Sequence, residues 1–402
     1  MLFRSTGPIV QVVLGLHQAS DFVTALFMVS LPAVISMTLG PVIGVWSDRH
    51  RGSRGRRIPF LIVTTPIAGL ALAGVACADL PARSLHVWLG GDPATLSRTV
   101  LLIMGGCWIV FELATVTANT VFGALINDVV PREMIGRFYG LFRVVSIGVG
   151  IGLFYYVMGH SREHHRLILV SVSIVYVVGF LLMCLKVREG AYPPPEAAAS
   201  PGLRDTLAGY LRDCFTHPYY RTVFAFVALA VTSFLPVNLY MVFAAESFGL
   251  TLAEYGRCMA AMFAVSFVLA YPLGWMADRF HATRVGLGCL AAYAAATGAG
   301  FFVVSGPRSF AVLLFCHGLL SVCYNTGVAA LGQMLFPRER FAQFGAAATF
   351  LAALMSIVAG PLVGFLLDQL GRDYRYTFGL SGLLAAVALL VGMRLYRAFL
   401  RH

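Results

Sequence analysis

Eleven stretches of about 20 residues run almost without charge, near 21–46, 58–80, 99–126, 137–158, 167–186, 220–244, 254–277, 284–305, 309–331, 343–367 and 377–396. A helix needs roughly 20 apolar residues to cross the hydrocarbon core of a bilayer. The pattern therefore predicts an all-α membrane protein. Composition agrees: of 402 residues 59% are hydrophobic and only 12% charged. A soluble domain carries about twice that charge. A further apolar run, Gly7 to Leu16, is too short to span by itself.

The connections set the orientation. The chain has 29 basic and 18 acidic residues, a net charge of +11. In a soluble protein that excess suggests nucleic acid. Here the basic residues cluster between apolar runs, where the positive-inside rule explains them, so no nucleic-acid partner is expected. With the run 7–16 counted as a first helix there are twelve, and the loops then assigned to the cytoplasm hold 19 of the 29 basic residues. Both termini are expected in the cytoplasm and the chain in the cell membrane as a multi-pass protein. The eight cysteines are scattered, with no metal-ligand spacing, and read as small core residues. No metal, cofactor, Walker motif or catalytic constellation is evident, so neither an enzyme nor ATP-driven transport is expected.

The longest polar stretch, Val187 to Pro218, contains Pro193-Pro194-Pro195 and reads as a linker. It divides the chain into a half over 1–187, a cytoplasmic linker over 188–218 and a half over 219–402. Helical periodicity over Gly202 to Phe215 predicts a short surface helix within the linker. An internal repeat supports the halving. Gly44-Val-Trp-Ser-Asp48-Arg49 recurs as Gly274-Trp-Met-Ala-Asp278-Arg279. Pro131-Arg132-Glu133 followed by Gly140 recurs as Pro337-Arg338-Glu339 followed by Gly345.

Gly40 to Phe60 reads GPVIGVWSDRHRGSRGRRIPF, a short loop with five arginines between two apolar runs. The pattern G-x-x-x-D-R-x-x-x-x-x-G-R-R resembles the loop between the second and third helices of major facilitator superfamily transporters. Its longer form, G-P-x-x-G-x-x-S-D-R-x-x-x-x-x-G-R-R-x-P-F, is similar to glycoside–pentoside–hexuronide:cation symporters and to related sucrose–proton symporters. Asn127 to Arg143 resembles the next cytoplasmic loop of the same branch. The resemblance implies two six-helix halves, with the run 7–16 as a short or truncated first helix. It also implies proton- or Na⁺-coupled symport of a sugar or glycoside by alternating access, in a monomer embedded in lipid. Proton-coupled efflux of drug-like or amphipathic solutes is the alternative.

The resemblance implies a cytoplasmic gate built from Asp48, Arg49, Arg56 and Arg57, from Asp128, Arg132 and Arg137, and from the second copy, Asp278 and Arg279. An aspartate at a helix end would cap a neighbouring helix and pair with arginine, in an ion pair able to break as the halves rock. The plain alternative is a loop that only sets topology.

Glu112 alone among the eighteen acids falls near the middle of a span. An ionised carboxylate in hydrocarbon costs several kcal/mol, so it must pair or hold a proton. A carboxyl that exchanges a proton is what coupling requires; the plain alternative is a protonated group joining two helices. Thr115 and Asn119, at i+3 and i+7, share its face, with Thr117 beside them. His317, deep in the span 309–331, is the second coupling candidate, or else a packed neutral imidazole. Asn238 and Tyr240 after Pro236, Tyr271, and the pair Tyr324 and Asn325 complete the substrate-binding candidates, because hydroxyls and amides suit a hydroxyl-rich ligand. Arg4 and Gln11 would join them from the first helix, and Asp373-Tyr374-Arg375-Tyr376 is expected to anchor at the outer interface.

Overall fold

The structure is a computed structural model that describes residues 2–52, 54–89, 93–190, 212, 214–329, 331–337 and 340–399. The expected linker prolines and nearly all of the surface helix over 202–215 lie outside those residues. The described chain is helical, and it divides into two compact units, Met1–Ala197 and Ala198–His402.

In the first unit α1 (Leu2–Leu16) is the short helix, and α2 (Asp21–Arg49) follows with one wide π-turn over Leu26–Ser30. Next come α3 (Ile58–Ala76), α4 (Asp79–Leu89) and the long α5 (Pro93–Val129). The hydropathy pattern is continuous from Arg137 to Lys186, 50 residues. At 1.5 Å per residue one such helix would be far longer than a bilayer is thick. The chain resolves this by turning: α6 (Ile135–Gly152) runs through a π-turn and a 3₁₀ turn over Met158–His160 into α7 (Ser161–Lys186). The spans expected at 137–158 and 167–186 are thus separate helices.

One addition to the expected layout is α4. The connection between α3 and α5 is not an open loop but an 11-residue helix. It leaves Leu80, Leu85, Val87 and Trp88 exposed while burying Asp79 and Ala82. That division suits a helix lying along a membrane surface. Its isolated apolar side chains among Arg83, Ser84 and His86 are too short a run for a hydropathy pattern to register.

The second unit opens with α8 (Pro218–Ser233), which breaks at Phe234 into α9 (Leu235–Ser247). Pro236 lacks the N–H that would continue the α8 hydrogen-bond ladder, and this fixes the break. Then follow α10 (Leu252–Phe280), α11 (Ala282–Val303), α12 (Pro307–Gly327), the single turn α13 (Leu331–Leu335), α14 (Phe341–Gln369) and α15 (Arg375–Phe399). Helix starts carry the chemistry expected of them. Thr251 and Glu254 form a reciprocal capping box at α10, and His281 turns the chain at φ +74° while its ring accepts from the Thr283 N–H at 3.3 Å. The core of this unit is aromatic, around Phe224, Phe226, Phe234, Tyr293, Tyr324 and Phe344.

Close helix contact rests on small residues, as it must where lipid is as apolar as the core. Backbone meets backbone where α11 crosses α15: a Cβ on Gly382 would stand 2.8 Å from the Gly298 nitrogen and 2.9 Å from its Cα. Backbone cannot yield as a flexible side chain can. Gly382→Ala is expected to cost about 1–3 kcal/mol by overpacking, read as a lowered unfolding midpoint in detergent. An unchanged midpoint would show that α11 and α15 can move apart freely.

Candidate functional site: a charged knot and two polar helix faces

At the end of α2 the five-arginine loop turns back into α3, and two of its arginines make the charged knot. Arg56 grips Asp128, near the end of α5, with two parallel bonds, Nε to Oδ2 at 3.1 Å and Nη2 to Oδ1 at 2.7 Å. Arg57 reaches the same carboxylate through Nε at 3.2 Å, and also donates to the Ser47 hydroxyl and the Asp48 carboxylate. The planar guanidinium serves three acceptors at once, which an ammonium on a flexible stem does not. Arg57 is 4% exposed, so the knot is an interior feature of the first unit.

A residue the sequence reading did not single out completes it. Glu189, just beyond α7, accepts from the backbone N–H groups of Arg56 (2.9 Å), Arg57 (2.9 Å) and Ile58 (2.7 Å). These are the open donors at the start of α3, and a carboxylate there is favoured by both hydrogen bonding and the helix dipole. Asp48 pairs with arginine as expected of the gate, but the carboxylate capping a neighbouring helix is Glu189. No local pattern marks it: Val187-Arg188-Glu189-Gly190 reads as the start of a linker, and only the fold brings it to α3.

Gly55 makes room for this contact. It holds φ +103°, and a Cβ there would lie 2.4 to 2.8 Å from Glu189 side-chain atoms. Gly55→Ala is expected to displace Glu189 and to cost about 1–3 kcal/mol in backbone strain, seen as earlier thermal unfolding and faster proteolysis of the loop. Native-like resistance in the variant would contradict the close approach.

Arg49 and Arg137 are exposed, and Arg279 stacks its guanidinium over Trp275 at 5.6 Å. The side chains of Arg132 and Asp278 lie outside the described residues, as does that of Arg4.

The polar face of α5 lies near the π-turn of α2. Trp108 Nε1 donates to the Phe27 carbonyl inside that turn at 2.8 Å, and the Phe27 ring packs on Gly105, where a Cβ would meet it at 2.8 Å. A π-turn leaves a carbonyl without its usual helical partner, and the indole supplies one. Glu112 is one turn beyond Trp108 on the same face. It is half-buried and has no hydrogen-bond or ion-pair partner among the described residues. Thr115 and Thr117 are buried and return their hydroxyls to the backbone, at Glu112 O (3.2 Å) and Leu113 O (2.8 Å). Asn119 is exposed.

In the second unit the break between α8 and α9 organises a second polar group. His317 of α12 is buried, and both of its ring nitrogens are bonded. Nδ1 lies 2.9 Å from the Tyr293 hydroxyl of α11, and Nε2 lies 3.0 Å from Asn238 Oδ1 of α9. Tyr293 was not anticipated, since one tyrosine within an apolar run gives no local signal. The remaining candidates disperse. Tyr240 and Tyr324 are buried in ring contacts, with Tyr374 at 6.1 Å and Phe234 at 5.5 Å. Asn325 donates to the Ser321 carbonyl at 2.7 Å, and Tyr271 is 84% exposed. Gln11 is buried within α1. Tyr374 points inward against Tyr240 and Phe243 rather than toward a headgroup layer, while its neighbours Asp373 and Arg375 form an exposed bidentate pair. The Arg375 guanidinium holds the Asp373 carboxyl below the usual carboxylate range.

Among the described residues no cluster of His, Cys, Asp or Glu could hold a metal ion. Among the described residues ten helical segments are long and apolar enough to cross a membrane, one of them the 50-residue stretch Arg137–Lys186 of α6 and α7, which makes this a multi-pass membrane protein. Residues 223–399 match the family model of the Major Facilitator Superfamily. The whole chain has that superfamily's all-α fold. It superimposes on a mutant form of the nucleoside transporter NupG with a TM-score of 0.70 at 13% identity, covering 98% of this chain and 96% of that one. A bacterial homolog of the human lysosomal transporter Spinster, inward-facing and unoccupied, gives 0.69 at 14% identity, covering 99% and 94%. A bacterial homologue of the iron transporter ferroportin, inward-facing, gives 0.66 at 14% identity, covering 98% and 96%. No curated protein sequence matches the chain significantly.

Proposed function

We propose that the protein is a secondary transporter that moves a sugar or glycoside across the cell membrane by proton symport with alternating access. The observation that carries this reading is Glu112: a carboxyl in the middle of an apolar helix, half-buried and without a partner among the described residues. A permanent charge there is too costly to keep for packing alone, so the carboxyl takes up and releases a proton. The side-chain amides of Asn119, Asn238 and Asn325, with no fixed charge near them in sequence, suit a neutral hydroxyl-rich solute. The G-R-R loop, which resembles the symporter branch, supports import over efflux, and the Arg56–Arg57–Asp128–Asp48 knot supplies its cytoplasmic latch. Both termini are then cytoplasmic.

Addition of a disaccharide to proteoliposomes is expected to make the external medium more alkaline as proton and sugar enter together. Acidification driven by amphipathic solutes, with no response to any sugar, would instead establish antiport efflux.

A further inference from the structure

The hydrogen atoms of the second polar group can be placed from its distances. The Tyr293 hydroxyl has one proton to give, and its neighbours include His317 Nδ1 at 2.9 Å, the Ser233 carbonyl at 3.5 Å and the Ser381 hydroxyl, which can itself donate to the phenol oxygen. The shorter contact is a full hydrogen bond and the longer is at the limit, so the proton points to Nδ1. An imidazole nitrogen that accepts carries no hydrogen, and in the neutral ring the other nitrogen then donates. Nε2–H therefore donates to Asn238 Oδ1 at 3.0 Å. The oxygen of the Asn238 amide is thereby engaged inward, and its NH₂ group is left pointing away from His317.

That direction is outward. Tyr293 and His317 are buried, whereas Asn238 is exposed. A free amide facing hydrocarbon would forfeit its hydrogen bonds at several kcal/mol, so this side of α9 meets water or a ligand. The middles of α9, α11 and α12 contain no charged residue: Glu246, Arg284 and Arg308 stand at helix ends. An ion would have no partner there.

We infer that Tyr293 and His317 are positioning residues that hold the Asn238 amide with both N–H donors outward, as the recognition group for an oxygen acceptor of a neutral solute. The proposal rests on the reading of the chain as a carrier of such a solute. It gives His317 a role other than proton coupling: its two nitrogens are committed to fixing an orientation.

The test is to label histidine with ¹⁵N in the full-length protein, assign His317 by difference against His317→Gln, and read which ring nitrogen is protonated. The expected result is hydrogen on Nε2 in the native protein and a mixture of tautomers in Tyr293→Phe, which keeps the ring but loses the hydroxyl. Hydrogen on Nδ1 in the native protein, or no change in Tyr293→Phe, overturns the proposal. A second arm uses labelled sucrose and melibiose as probes. Asn238→Asp, which offers only acceptors, is expected to abolish binding, and Tyr293→Phe to weaken it about 5-fold, the value of one neutral hydrogen bond. Native affinity in Asn238→Asp likewise overturns it. The expected tautomers with no binding of either sugar by the native protein would support the amide orientation while counting against sugar as the solute.

Discussion

Glu112→Gln is expected to abolish accumulation of solute against its gradient while leaving exchange of solute across the membrane intact. The amide keeps the size and much of the hydrogen bonding of a protonated carboxyl but has no proton to exchange. Binding and the conformational cycle survive, because both can run with a neutral group at this position. Only the link to the proton gradient is cut. The effect is all-or-none because no other carboxylate lies near the middle of a span: Asp21, Asp79, Glu246 and Asp368 lie toward helix ends. The measurement is paired: counterflow and gradient-driven uptake in the same proteoliposomes. Undiminished accumulation by Glu112→Gln would remove Glu112 from coupling, and equal loss of both activities would make it a packing residue.

Arg57→Ala is expected to be the most destabilising single change in the charged knot. It strips one guanidinium from Asp128, which is 14% exposed, and removes the donor to the Ser47 hydroxyl, which keeps its own bond to the Gly44 carbonyl. Breaking a buried ion pair costs about 3–5 kcal/mol when the remaining charge is left alone. Here Arg56 remains on Asp128, and the Asp48 side chain is 58% exposed and can rehydrate. The expected loss is accordingly about 2–3 kcal/mol, with little of it from the Asp48 contact. The unfolding midpoint in detergent should fall by several degrees, and Arg57→Lys should recover only part of it. Arg49→Ala, on an exposed neighbour, serves as the control and should not move the midpoint. Equal midpoints for Arg57→Ala and Arg49→Ala would mean the knot does not hold the helix ends of the first unit.

The spanning helices were legible because bilayer thickness imposes a length on them and lipid imposes a composition. The sites that escaped were those where neither constraint speaks. α4 is too short and too mixed for a hydropathy pattern. Glu189 and Tyr293 act through partners more than a hundred and more than twenty residues away, Ile58 and His317 respectively. Tyr374 occupies the position of an interfacial anchor, yet its ring is drawn inward by Tyr240. Asp48, Arg56, Arg57 and Asp128 were visible because a dense arginine loop beside acids is conspicuous in a chain this poor in charge. Glu112 was visible for the same reason.

The most direct measurement is uptake of labelled disaccharides into proteoliposomes containing the native chain, with and without an inward proton gradient. Accumulation above the external concentration is expected when the gradient is present, and equilibration only when it is collapsed. Sugar uptake indifferent to the gradient, or none at all while amphipathic solutes are expelled, would contradict proton symport of a sugar.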